Sequence, residues 1–168
     1  MFKTKQIKLV STYFTPFAIL LVLAGSVFAK LDPKVSLLAV VIIVFTMVMN
    51  LTTENLTEKG GKHAKTLGKA RMLLNFTANV LLVYMLCLQW HPIWLLFVLT
   101  PVANAVYSDA RRTIFMCIVT AIVMLLIYFV RGLSGVISWG EVLCYIAFIF
   151  VISLFVNKLA QTLKSTNR

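Results

Sequence analysis

The sequence predicts an all-α integral membrane protein with six transmembrane helices and both termini in the cytoplasm. Three observations predict it. Hydrophobic residues make up 61% of the 168 residues and charged residues only 12%, whereas a soluble domain is about half apolar and about a quarter charged. A chain this short has no interior large enough to hide that surface from water. The apolar residues also fall in blocks that can cross ~30 Å of hydrocarbon at ~1.5 Å per residue. Finally, the basic residues sit in the short segments between blocks. The net charge of +11 therefore speaks to topology and anionic lipid rather than to nucleic acid.

The blocks run over 9–29, 35–51, 73–90, 93–107, 113–130 and 142–156, and the whole chain reads as a single domain with a cytoplasmic amphipathic tail over 157–168. The first begins like a secretion signal, with Lys3, Lys5 and Lys8 ahead of an apolar stretch that ends Val27-Phe28-Ala29. It is longer than a signal core and contains Pro16, so it reads as a retained first span. The second follows Lys30 and Lys34. Only His91-Pro92 separates the third and fourth, and a helix does not pass smoothly through that proline. Residues 73–107 are also far too long for one span, so the pair reads as a tight helical hairpin. The fourth and sixth blocks are short and reach full length by continuing into flanking polar residues. Pro16 and Pro101 are expected to bend their helices.

Charge tests the count of spans. With six, one side collects thirteen basic residues: Lys3, Lys5 and Lys8; Lys59, Lys62, Lys65, Lys69 and Arg71; Arg111 and Arg112; Lys158, Lys164 and Arg168. The other side collects three, Lys30, Lys34 and Arg131. Fusing the hairpin into one span would split the charge almost evenly. The positive-inside rule selects six spans with both ends inside.

Catalytic and cofactor chemistry fails on position. His63 and His91 fall on opposite sides of the expected membrane and cannot jointly hold a metal or haem. Cys87, Cys117 and Cys144 lie in different spans and read as small apolar residues. Asp32, Glu54, Glu58, Asp109 and Glu141 all lie in loops or at span ends, whereas a coupled transporter carries an ionisable group within the membrane. The loop from Gly60 to Ala70 imitates a phosphate loop, but His63 stands at its first glycine and Ala70 at its Ser/Thr. No enzyme activity, cofactor or metal is expected. Lys59, Lys62, Lys65, Lys69 and Arg71 read instead as a juxtamembrane contact for anionic lipid or a docking partner.

Polar and aromatic residues supply the remaining candidates. Asn75 and Asn79 share a face of the third helix. Folding the hairpin about His91-Pro92 brings Asn79 level with Asn104 and carries Asn75 towards Ser108. Unpaired amides are costly in hydrocarbon, so Asn75, Asn79 and Asn104 are expected to form an intramembrane polar contact, as helix glue or as a switch beside Pro101. Trp90, Trp94 and Trp139 lie at outer span ends, in an interfacial aromatic belt or, with His91, Arg131 and Glu141, around an external pocket. In the last span Ile152, Phe155, Leu159 and Leu163 keep a helical apolar spacing past the membrane edge. Phe155, Leu159 and Leu163 are the expected partner-helix residues.

The run Pro92-Ile93-Trp94-Leu95-Leu96-Phe97-Val98-Leu99-Thr100-Pro101-Val102-Ala103-Asn104-Ala105-Val106-Tyr107, then Arg111-Arg112-Thr113 and a long apolar span, resembles the multi-span input domains of bacterial sensor histidine kinases and diguanylate cyclases. The resemblance covers Lys69 to about Leu163. It implies a last span that exits as a signalling helix, here Phe155–Leu163. No phosphoacceptor helix, ATP-binding domain or GGDEF domain follows Arg168, so the expectation is either the membrane part of a longer sensor or a stand-alone subunit. The leading expectation is a non-enzymatic sensory or interaction module in a bacterial inner membrane, signalling through its sixth helix. A structural subunit of a larger membrane complex and a small oligomeric transporter are the alternatives. The expected partners are anionic lipid and a protein in the membrane or at its cytoplasmic face, with self-association a further option.

Overall fold

The computed structural model describes residues 2–29, 31–58, 64–133 and 136–166. These residues form six α-helices and one 3₁₀ turn, with no strand among them. Three stretches are long and apolar enough to cross a membrane: Pro33–Thr53, Ala110–Val130 and Trp139–Leu163. Tyr13–Phe28 and His91–Tyr107 are shorter apolar helical stretches. The chain divides into two compact units, Met1–Leu96 and Phe97–Arg168.

In the first unit α1 (Phe2–Phe28) packs on α2 (Pro33–Glu58), and α2 packs on α3 (Ala64–Leu86). The start of α2 is set by Leu31-Asp32-Pro33. The Asp32 carboxylate accepts the Lys34 amide at 2.8 Å, and Pro33 occupies the first helical position, where its missing N–H is not needed. The third helix ends at Leu86, four residues before the end of the apolar block. The chain then turns through Cys87–Gln89 into the 3₁₀ turn His91–Leu95, with Pro92 near its start. That turn packs against both α3 and α1. Val22, Ala39, Leu82, Val83, Leu86, Ile93 and Trp94 form the unit's core.

The second unit holds α4 from Phe97 onward (the helix is Leu96–Tyr107), α5 (Ala110–Val130) and α6 (Val136–Thr166). Gly132, at φ 70°, closes α5: the Leu133 amide reaches the Tyr128 carbonyl at 3.2 Å and the Gly132 amide reaches Phe129 at 3.1 Å. This is the Schellman arrangement, which needs a left-handed residue and so favours glycine. It turns the chain back, and α6 packs antiparallel on α5. Along the seam Tyr128 meets Trp139 at 5.5 Å between ring centres, Cys117 faces Ser153, and Thr113 meets Asn157. The sixth helix starts six residues before the apolar block and runs unbroken through the expected tail to Thr166. Two hydroxyls within the apolar stretches bond back to their own helix, Thr46 to Ile42 O at 2.7 Å and Thr120 to Met116 O at 2.8 Å, which spares these two an unmet donor in lipid.

Candidate functional site

Two polar clusters stand out against the apolar background, one in each unit. In the second unit Asn157 of α6 is 2% exposed. Its amide donates to Ala105 O at 2.9 Å, Ser108 O at 2.8 Å and Thr113 Oγ1 at 3.2 Å. Its own Oδ1 accepts from Gln161 Nε2 at 2.7 Å. Ala105 lies in the last turn of α4, where backbone carbonyls have no partner within the helix. Asn157 therefore satisfies the end of α4 and the start of α5 from a third helix. Around it, Ser108 Oγ donates to Asn104 Oδ1 at 2.8 Å, and Asn104 Nδ2 reaches the Arg112 carbonyl at 3.3 Å. Thr113 Oγ1 donates to Asp109 O at 3.2 Å.

Past this cluster α6 presents two unlike faces. Ser153, Asn157 and Ala160 are buried, while Phe155, Leu159 and Leu163 are 62%, 50% and 54% exposed. Those three are the residues expected from the sequence to meet a partner, and they form one apolar stripe at helical spacing beside exposed Lys158.

In the first unit Arg71 opens the apolar part of α3. Its Nε donates to Asn50 Oδ1 at 3.0 Å, and Asn50 Nδ2 donates to Asn75 Oδ1 at 3.0 Å. Asn50, on α2, is 7% exposed, and Arg71 and Asn75 lie one turn apart on α3. An amide from one helix is thus held between a guanidinium and an amide of its neighbour. No family model, curated protein or solved structure matches the chain.

The other sequence candidates fall as follows. Asn79 is buried and donates to Leu96 O at 3.0 Å, within the first unit. Lys69 is exposed on α3, while Lys59 and Lys62 lie outside the described residues, and Lys65 is described only by its backbone in α3. Trp90 packs on α1, 6.5 Å from Phe28 in a near-parallel stack, His91 is exposed and Trp94 is 2% exposed. In the second unit Arg131 follows the end of α5, Trp139 packs on Tyr128, and Glu141 accepts from Tyr145 at 3.5 Å. Asn50, Asn157 and Gln161 were not singled out from the sequence. The available signal was a polar amide at each edge of an apolar block, on the same helical face as the block's buried residues.

Proposed function

We propose that this chain is a non-enzymatic sensory or interaction module of a bacterial cytoplasmic membrane, six-spanning with both termini inside, which passes membrane or ligand state to a partner through α6. The observation that carries the reading is the junction at Asn157. One side chain ties α6 to the end of α4 and the start of α5, and the same helix continues without a break into an exposed apolar stripe. At ~1.5 Å per residue its 31 residues span about 46 Å, well beyond ~30 Å of hydrocarbon. A shift of α6 must then either break the Asn157 bonds or carry the α4–α5 junction with it. A signal carried by α6 would use this coupling between the helix and the α4–α5 junction.

The structural-subunit reading uses the same stripe as a permanent interface. Photo-crosslinker placed at Phe155, Leu159 or Leu163 in native membranes separates the two. A sensory module gives adducts with one protein whose yield changes with Asn157→Leu, whereas a subunit gives constant adducts in fixed stoichiometry. Adducts with lipid alone at all three positions would overturn both.

A further inference from the structure

We propose that Arg71, oriented by Asn50, forms a phosphate-binding site at the edge of the α2–α3 pair. The site stands in the first unit and is independent of the α6 reading. A guanidinium recognises a phosphate by presenting two parallel N–H groups in a fixed plane, which a lysine ammonium does not offer. Here the plane is fixed. Nε is held at 3.0 Å by Asn50 Oδ1, and Asn50 is held in turn at 3.0 Å by Asn75. The remaining donors are the two Nη groups, and among the described residues neither has a partner. An arginine secured through Nε with its Nη groups left over is preorganised for bidentate contact, so less rotamer freedom is lost on binding.

Depth and field point to the same ligand. Asn50 lies near the end of the apolar stretch Pro33–Thr53, and Arg71 stands just ahead of the apolar part of α3. Where α2 crosses a bilayer, that level is the headgroup layer. Lys59 and Lys62 lie in the sequence between α2 and α3, and Lys65 and Lys69 in the first two turns of α3; a basic run there concentrates anions at the surface. The lysines supply attraction without geometry; Arg71 supplies geometry. The ligand is accordingly a phosphate ester or phosphate itself, drawn from a phospholipid headgroup or from solution.

The test uses the purified full chain in neutral-detergent micelles, with fluorescent phosphatidic acid as the probe and diacylglycerol as its phosphate-free control. Arg71→Lys keeps the charge and removes the fork. Asn50→Leu keeps the arginine and removes its support. Lys69→Gln removes an adjacent charge only. The expected result is a loss of phosphatidic acid affinity of about tenfold for Arg71→Lys and Asn50→Leu, against less than about twofold for Lys69→Gln. Size-exclusion and circular dichroism establish that each variant is folded, and Arg71→Lys carries the test if Asn50→Leu is not. Displacement of the lipid by millimolar inorganic phosphate would support the site with a soluble ligand; displacement only by unlabelled phosphatidic acid would support it with a headgroup. If Arg71→Lys binds like the parent, or all three variants fall equally, the attraction is diffuse and the site is overturned.

Discussion

Asn157 offers two N–H groups to three acceptors, Ala105 O, Ser108 O and Thr113 Oγ1, so one hydrogen is shared. Replacing it by leucine leaves two backbone carbonyls without this donor in an environment that excludes water. The expected cost is about 1–2 kcal/mol, read from reversible unfolding in mixed micelles. Gln161→Leu, by contrast, removes one bond at an exposed position and should cost under about 0.5 kcal/mol. Equal costs would move the centre of the cluster away from Asn157. The sequence placed Asn157 at the start of a tail and Asn50 at the end of a span. Asn157 instead lies inside the continuous helix Val136–Thr166, and apart from Gln161 the partners of both side chains lie 21 to 52 residues away along the chain. Only packing of the helices reveals them.

Among the elements, the approach of α1 to the turn after α3 depends on one glycine. A Cβ on Gly25 would lie 2.9 Å from Trp90 Cδ1 and 3.1 Å from Cγ, and the indole is also stacked on Phe28, one turn further along α1. Gly25→Ala is expected to destabilise by about 1–3 kcal/mol, because the ring has to leave its stack to make room. Thermal denaturation followed by size-exclusion would measure it, and in a Trp90→Leu background most of the cost should vanish. This contact also explains why α3 stops at Leu86 rather than at 90. Apolar residues continue past Leu86, so hydropathy alone carries the helix on. The chain instead folds Trp90 back onto α1 ahead of Pro92. The helical spacing beyond 156 was legible in Phe155, Leu159 and Leu163. The sixth block was also expected to lengthen into its flanking polar residues, but hydropathy alone does not say that six residues are added at its start, over 136–141.

For the whole molecule, the long unbroken apolar blocks made the helical class and the apolar helices plain, since a barrel strand alternates apolar and polar residues over about ten positions whereas a helix pairs its whole backbone within one apolar run. Three helical stretches meet the requirement for crossing a membrane, while six crossings rest on the charge asymmetry. In a cysteine-free background, single cysteines over 60–69 and 165–168 should react with an impermeant maleimide only from the cytoplasm, and those over 132–138 only from outside. Opposite-side labelling of the two ends would require an odd number of crossings and overturn the six-span proposal. The length of α6 has one more consequence. Its apolar stretch of 25 residues measures about 37 Å against ~30 Å of hydrocarbon. Membranes absorb such an excess by letting a helix lean or by thickening around it. The Asn157 bonds keep α6 from sliding along α5 to shed the surplus, so leaning remains. In the proposed sensory module bilayer thickness would then be an input in its own right: a thin membrane would tip α6 and its apolar stripe over, and a thick one would stand them upright.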